Sequence, residues 1–101
     1  MALQFRSDRI YFDRSTNIRH RERRNVTFNG RVRTYQAMLR GFNLRYNNGD
    51  HHILEQEIDL DPRLISNNIV EVYADLVLRD NGGFDDPYSG WIEFVVIADV
   101  E

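Results

Sequence analysis

Apolar and polar residues alternate with a period of two along most of this chain, the repeat expected of strands that bury one face. The clearest run is Ile69 to Leu78, which sends Val70, Val72, Ala74, Leu76 and Leu78 one way and Glu71, Tyr73 and Asp75 the other. Trp91 to Val100 alternates too, but both faces are largely apolar (Ile92, Phe94, Val96 and Ala98 against Trp91, Val95 and Ile97). A strand of that kind belongs at the centre of a sheet or under a subunit contact. Asn25 to Phe28 is a shorter run that ends in the turn signal Asn29-Gly30.

The stretch from Arg40 to Leu60 predicts two alternating strands joined as a hairpin by Asn47-Asn48-Gly49-Asp50. The first, from about Thr34 to Tyr46, groups Gln36, Met38, Arg40, Phe42, Leu44 and Tyr46 on one face and Ala37, Leu39, Gly41 and Asn43 on the other. Gly41 within it marks a bulge or a close backbone approach. The return strand turns His52, Leu54, Gln56, Ile58 and Leu60 inward and His51, Ile53, Glu55, Glu57 and Asp59 outward, and Asp61-Pro62 is expected to close it. Residues 1–22 carry the weakest pattern and are expected to form an arginine-rich arm or edge strands ahead of a domain over residues 23–101. With no helical periodicity anywhere, the fold class is all-β, a small antiparallel β-sandwich of about six strands.

Length and composition agree with that picture. One hundred and one residues make one domain with one core. No apolar run is long enough to span a bilayer as a helix, and the first ten residues lack the apolar segment of a secretory signal. The compartment stays open. Cysteine is absent, which excludes disulfides, thiol catalysis and thiolate zinc sites.

Charge is split along the chain. All thirteen cationic side chains are arginine; eleven stand before Tyr46 against three acids, and two stand after it against thirteen. The split fits arginines of one strand facing acids of the next, or a head-to-tail assembly surface using Arg19, Arg21, Arg23 and Arg24. Nucleic acid fits poorly, because the pI is near 5.6.

Candidate chemistry lies in the loops. His51 and His52 are neighbours, so on a strand they point to opposite faces and cannot chelate one metal. Asp80, Asp85 and Asp86 stand around Asn81, Gly82 and Gly83, a set of oxygens that suits calcium without the spacing of an EF-hand. Tyr88 and Trp91 beside those acids suggest a carbohydrate pocket, with aromatic faces for stacking and carboxylates for hydroxyl groups. Asp50, His51, Asp80, Asp85, Asp86, Tyr88 and Trp91 are the expected ligand-binding set. No catalytic constellation is expected, because neither Asp85 with Asp86 nor Glu55 with Glu57 has the two-sided geometry of a glycosidase, and no nucleophile or phosphate-loop motif occurs.

The segments Ala37-Met38-Leu39-Arg40-Gly41-Phe42, Glu55 to Leu60, Asn68 to Leu78 and Trp91-Ile92-Glu93-Phe94-Val95-Val96-Ile97-Ala98 resemble, in order and apolar spacing, the H-type lectin domain of snail agglutinin and discoidin. The resemblance covers roughly residues 23–100. It implies a six-stranded sandwich that assembles as a homo-oligomer, a trimer or hexamer, and binds N-acetylgalactosamine-type sugars between protomers. The family's tryptophan next to the final alanine is replaced here by Val96-Ile97, and no sugar-contacting position matches residue by residue. A structural subunit of a larger particle, such as a phage tail or injection apparatus, is the alternative expectation.

Overall fold

The computed structural model describes residues 2–16, 19–49, 53–80 and 87–101. They form six strands: β1 (Ala2–Ser15), β2 (Arg19–Thr27), β3 (Val32–Tyr46), β4 (Ile53–Ser66), β5 (Ile69–Asp80) and β6 (Tyr88–Val100). Two three-stranded antiparallel sheets result, with strand orders β1-β6-β3 and β2-β5-β4. They pack with β1 over β2 and β3 over β4, giving the β-sandwich that the alternation predicts. Most strands have twelve to fifteen residues, so at a rise of about 3.3 Å per residue they produce a long body of 51 × 19 × 17 Å.

The two strands with the strongest apolar signal are the central ones. From β5, Val70, Val72, Ala74 and Leu76 are fully buried, and from β6 so are Ile92, Phe94, Val96 and Ala98. The apolar odd positions of β6 (Trp91, Val95 and Ile97) lie on the outer face of its sheet, between the flanking strands β1 and β3.

Three expectations need correction. β3 and β4 are not a hairpin, because they belong to different sheets. A six-residue connection can span the roughly 10 Å between packed sheets, which a two-residue hairpin turn cannot. The sheet hairpin is β4–β5, closed by Asn67-Asn68. Asn68 also ties that turn to the end of β2, its carbonyl accepting from the Phe28 N–H (2.8 Å) and its side-chain amide donating to the Phe28 carbonyl (3.2 Å).

Second, Pro62 does not end its strand. It sits in register opposite Val72, and β4 continues to Ser66. β4 is an edge strand, where proline's missing N–H need not break a ladder.

Third, β3 does not keep one phase. The register shift between Leu39 and Gly41 leaves Arg40 as the extra residue of a bulge, so Leu39 is opposite Phe94 while Phe42 is opposite Ile92. Tyr35, Ala37 and Leu39 therefore share the inner face with Phe42, Leu44 and Tyr46. Gly41 does mark a bulge, and the bulge reverses the pattern on either side of it.

The two lateral sides of the sandwich differ. Where β1 lies over β2, Ile10, Phe12, His20 and Val26 are all buried. Where β3 lies over β4 the inner faces reach solvent: Leu39 is 43 %, Phe42 48 % and Leu64 39 % exposed, with Leu44, Ile58 and Leu60 half-buried behind them. Ile53 (56 %) joins them, because the register shift ahead of Glu55 brings it opposite Asp80 and so off the outward face expected of it. One side is sealed and the other is open.

Candidate functional site

The structure separates the two aromatic residues expected to share a pocket. Tyr88 is at an even position of β6 and Trp91 at an odd one, so they project from opposite faces of the sheet. Tyr88 is fully buried in the core. Its hydroxyl donates to the Leu76 carbonyl across the sandwich (3.0 Å), and its ring stacks on His20 with centroids 4.2 Å apart. Burial pushes the Tyr88 phenol up to about 12. Tyr88 therefore holds the two sheets together and is not a wall of a surface pocket.

Trp91 lies half-buried on the outer face of the β1-β6-β3 sheet, in register with Tyr11 of β1 and Asn43 of β3. The Arg9 guanidinium covers the indole at 3.8 Å from the ring centroid, a cation–π contact, and bonds Glu93 at 3.3 Å. On the register, Arg9 and Glu93 flank Trp91 on one side, and Ser89 and Arg45 flank it on the other. Toward Ser89 the surface drops into a groove of about 320 Å³ whose lining includes Tyr11, Asp13, Asn43, Arg45, Ser89 and Trp91. Tyr11 is 61 % exposed. The Asn47 amide donates to the Ser89 hydroxyl at 3.1 Å, which fixes the groove's end near the β3–β4 link.

Gly90 forms the groove's floor and brings β6 unusually close to β3. A Cβ at this position would run into the Asn43 carbonyl and lie 3.1 Å from the Leu44 side chain.

Of the remaining expected residues, Asp80 ends β5 in the opposite sheet, away from Trp91. Asp50, His51, Asp85 and Asp86 lie outside the described residues. Among the described residues, no group of three His, Asp or Glu side chains stands close enough to hold a metal ion. The groove residues Tyr11, Asp13, Asn43, Arg45 and Ser89 were not foreseen. They come from three strands, and only the β1–β6 and β3–β6 registers bring them together.

Arg19, Arg21 and Arg23 sit on β2 facing the outer side of the second sheet. Arg19 meets Glu57 of β4 at 2.8 Å and Asp75 of β5 at 3.9 Å, Arg21 meets Asp75 at 3.6 Å, and Arg23 meets Glu71 at 3.7 Å. Arg21 of β2 and Arg63 of β4 both lie over the Tyr73 ring, at 4.5 and 5.4 Å. Arg24 turns to the other sheet, pairing with Asp8 at 3.2 Å and donating to the Arg9 carbonyl. The arginine-rich start of the chain thus meets the acidic second half within one molecule.

No protein-family model, curated protein or solved structure matches this chain.

Proposed function

We propose that the chain is a non-enzymatic carbohydrate-binding module that works as a homo-oligomer and takes its sugar in the groove beside Trp91. The observation that carries this reading is the juxtaposition of Tyr11 and Trp91 with Asp13, Asn43, Arg45 and Ser89 along one groove. Apolar ring surface suits the C–H face of a pyranose, and carboxylate, amide, guanidinium and hydroxyl groups at the rim suit its hydroxyls. The placement on paired strands keeps the polar groups at fixed spacing, which favours recognition at low ordering cost. The H-type lectin resemblance supports fold and assembly more than sugar binding, because no sugar-contacting position of that family is matched residue by residue.

The alternative reading, a structural subunit of a larger particle, rests on the arginine-rich strand gripping a neighbour's acids. Those arginines already meet acids of their own chain, which favours the first reading.

A glycan array read with and without calcium, followed by titration of the best sugar, tests the proposal. Binding that weakens at least tenfold in Trp91→Ala and in Tyr11→Ala, with the far-ultraviolet spectrum unchanged, supports it. Absence of any sugar bound at millimolar concentration, with calcium and without, overturns it. The calcium arm also decides whether a metal takes part.

A further inference from the structure

We infer that the groove beside Trp91 takes an acidic sugar, one bearing a carboxylate, which Arg14 and Arg45 clasp from opposite sides of Ser89. The inference rests on the carbohydrate reading above and names the substrate class of that same site.

Almost every arginine of this chain is already engaged. Most meet an acid of their own chain, and Arg6 and Arg40 bond the Gln4 side chain (3.0 Å) and the Ser7 hydroxyl (3.2 Å). Among the described residues, only the guanidinium groups of Arg14 and Arg45 meet neither an acid nor a hydrogen-bond acceptor. Both line the groove. In a chain whose acids outnumber its cations, the two uncommitted arginines thus stand at one place.

The strand register brings them there. Phe12 is opposite Gly90 and Ser15 opposite Tyr88, so Asp13 and Arg14 together stand against Ser89 alone, a bulge at the end of β1. Gly90 and Tyr88 are buried, inward positions, and the bulge therefore sets two residues where a regular strand has one outward side chain. On the other flank of Ser89 stands Arg45 of β3. Neighbouring strands run about 4.8 Å apart, so the backbones of Arg14 and Arg45 lie roughly 10 Å from each other across β6. Their long side chains can close on one anion between them, and the guanidinium fork matches a carboxylate with two parallel hydrogen bonds. The next outward row, about 7 Å along the strands, is Tyr11, Trp91 and Asn43. Rings for the apolar face of a sugar therefore adjoin cations for its carboxylate at a spacing close to the length of one uronate. Arg9 is neutralised by Glu93, which leaves the groove's rim with two cations against Asp13, an acid suited to a sugar hydroxyl.

Titration of the full chain with glucuronate, galacturonate and N-acetylneuraminate, each beside its uncharged methyl ester, tests the inference. At 20 mM sodium chloride at least one acid should bind about tenfold more tightly than its ester, and the preference should shrink at 500 mM. Arg14→Gln and Arg45→Gln should each reduce that preference, and the double variant should bind acid and ester alike. Arg40→Gln, on the same sheet face beyond Glu93, should leave it unchanged. Thermal melts of the Arg14 and Arg45 variants should match the unaltered chain, because neither side chain holds a neighbour in place. Sugars bound with no preference for the acid, or a preference that survives in the double variant, leave the carbohydrate reading standing and overturn this inference. Absence of any bound sugar, charged or neutral, overturns both.

Discussion

Tyr88 lies flat against His20, ring planes 16° apart, while its hydroxyl reaches the Leu76 carbonyl of the opposite sheet. One side chain thereby joins β6, β2 and β5 at the end of the core nearest the groove. Tyr88→Phe keeps the stack and removes the hydrogen bond, so it should cost about 1 kcal/mol in urea denaturation at pH 8.

The same burial sets a pH dependence. With the folded phenol at about 12 against an ordinary 10.0, an unfolded chain gives up this proton above pH 10 while the folded chain retains it. The contribution is complete below pH 10 and is lost as pH rises toward 12. The denaturation midpoints of the unaltered chain and Tyr88→Phe should therefore converge between pH 10 and 12. A gap that stays constant across that window would show that the phenol is not desolvated as described.

Arg40 is an insertion in a ladder otherwise regular from Thr34 to Tyr46, with Leu39 opposite Phe94 and Gly41 opposite Glu93. Deleting it should let the two halves of β3 alternate without a phase change, Leu39 inward and Gly41 outward, and every inward residue would keep its face. The deletion variant should remain folded by circular dichroism and unfold cooperatively. Loss of the fold would mean that the bend and twist of the bulge, rather than register alone, are needed to lay β3 over β4.

That bulge also shows where sequence reasoning reached its limit. β5 and β6 are legible because nothing interrupts their alternation and the apolar content of β6 on both sides already places it centrally. β3 carries the same quality of signal, but one extra residue inverts it, and periodicity cannot say which half keeps its phase. Asn-Asn-Gly-Asp predicts a β3–β4 hairpin because it favours tight turns wherever it occurs, whereas the choice of sheet depends on contacts far along the chain. Counting by twos separates Tyr88 from Trp91, since the positions differ by an odd number on one strand. The groove was not legible, because Tyr11 and Asn43 meet at Trp91 only through pairings between residues 48 to 80 positions apart.

The ion pairs on the second sheet should add little stability one at a time. Arg19 and Arg21 are about half exposed, as is Glu57, and exposed pairs are worth roughly 0–1 kcal/mol and weaken with salt. Asp59 and Asp75, however, stand directly opposite each other on β4 and β5, and like charges so placed repel. Replacing both Arg19 and Arg21 with alanine should thus lower the melting temperature more at 20 mM than at 500 mM sodium chloride, and adding Asp59→Asn should restore part of the loss. Equal losses at both salt concentrations would show that packing, such as that of Arg21 on Tyr73, outweighs the ion pairs.

Two glycines, Gly41 on β3 opposite Glu93 and Gly90 on β6 opposite Leu44, have opposite consequences. At Gly41 an added Cβ meets only the Glu93 carboxylate, at 4.0 Å, and the backbone is not in the left-handed region. Gly41→Ala should be neutral or stabilising by up to about 1 kcal/mol, since it restricts the unfolded chain at no cost to the folded one. At Gly90 the added Cβ collides with the Asn43 carbonyl, a backbone atom that cannot swing aside. Gly90→Ala must push β6 from β3 where Trp91, Asn43 and Ser89 line the groove, and overpacking of this kind costs roughly 1–3 kcal/mol. Thermal melts of the two variants should therefore move apart. At a temperature where Gly90→Ala is still folded, its affinity for a sugar bound by the unaltered chain should fall while that of Gly41→Ala holds. If Gly90→Ala bound normally, the ligand would not depend on the close approach of these strands, and the groove beside Trp91 would be the wrong place for it.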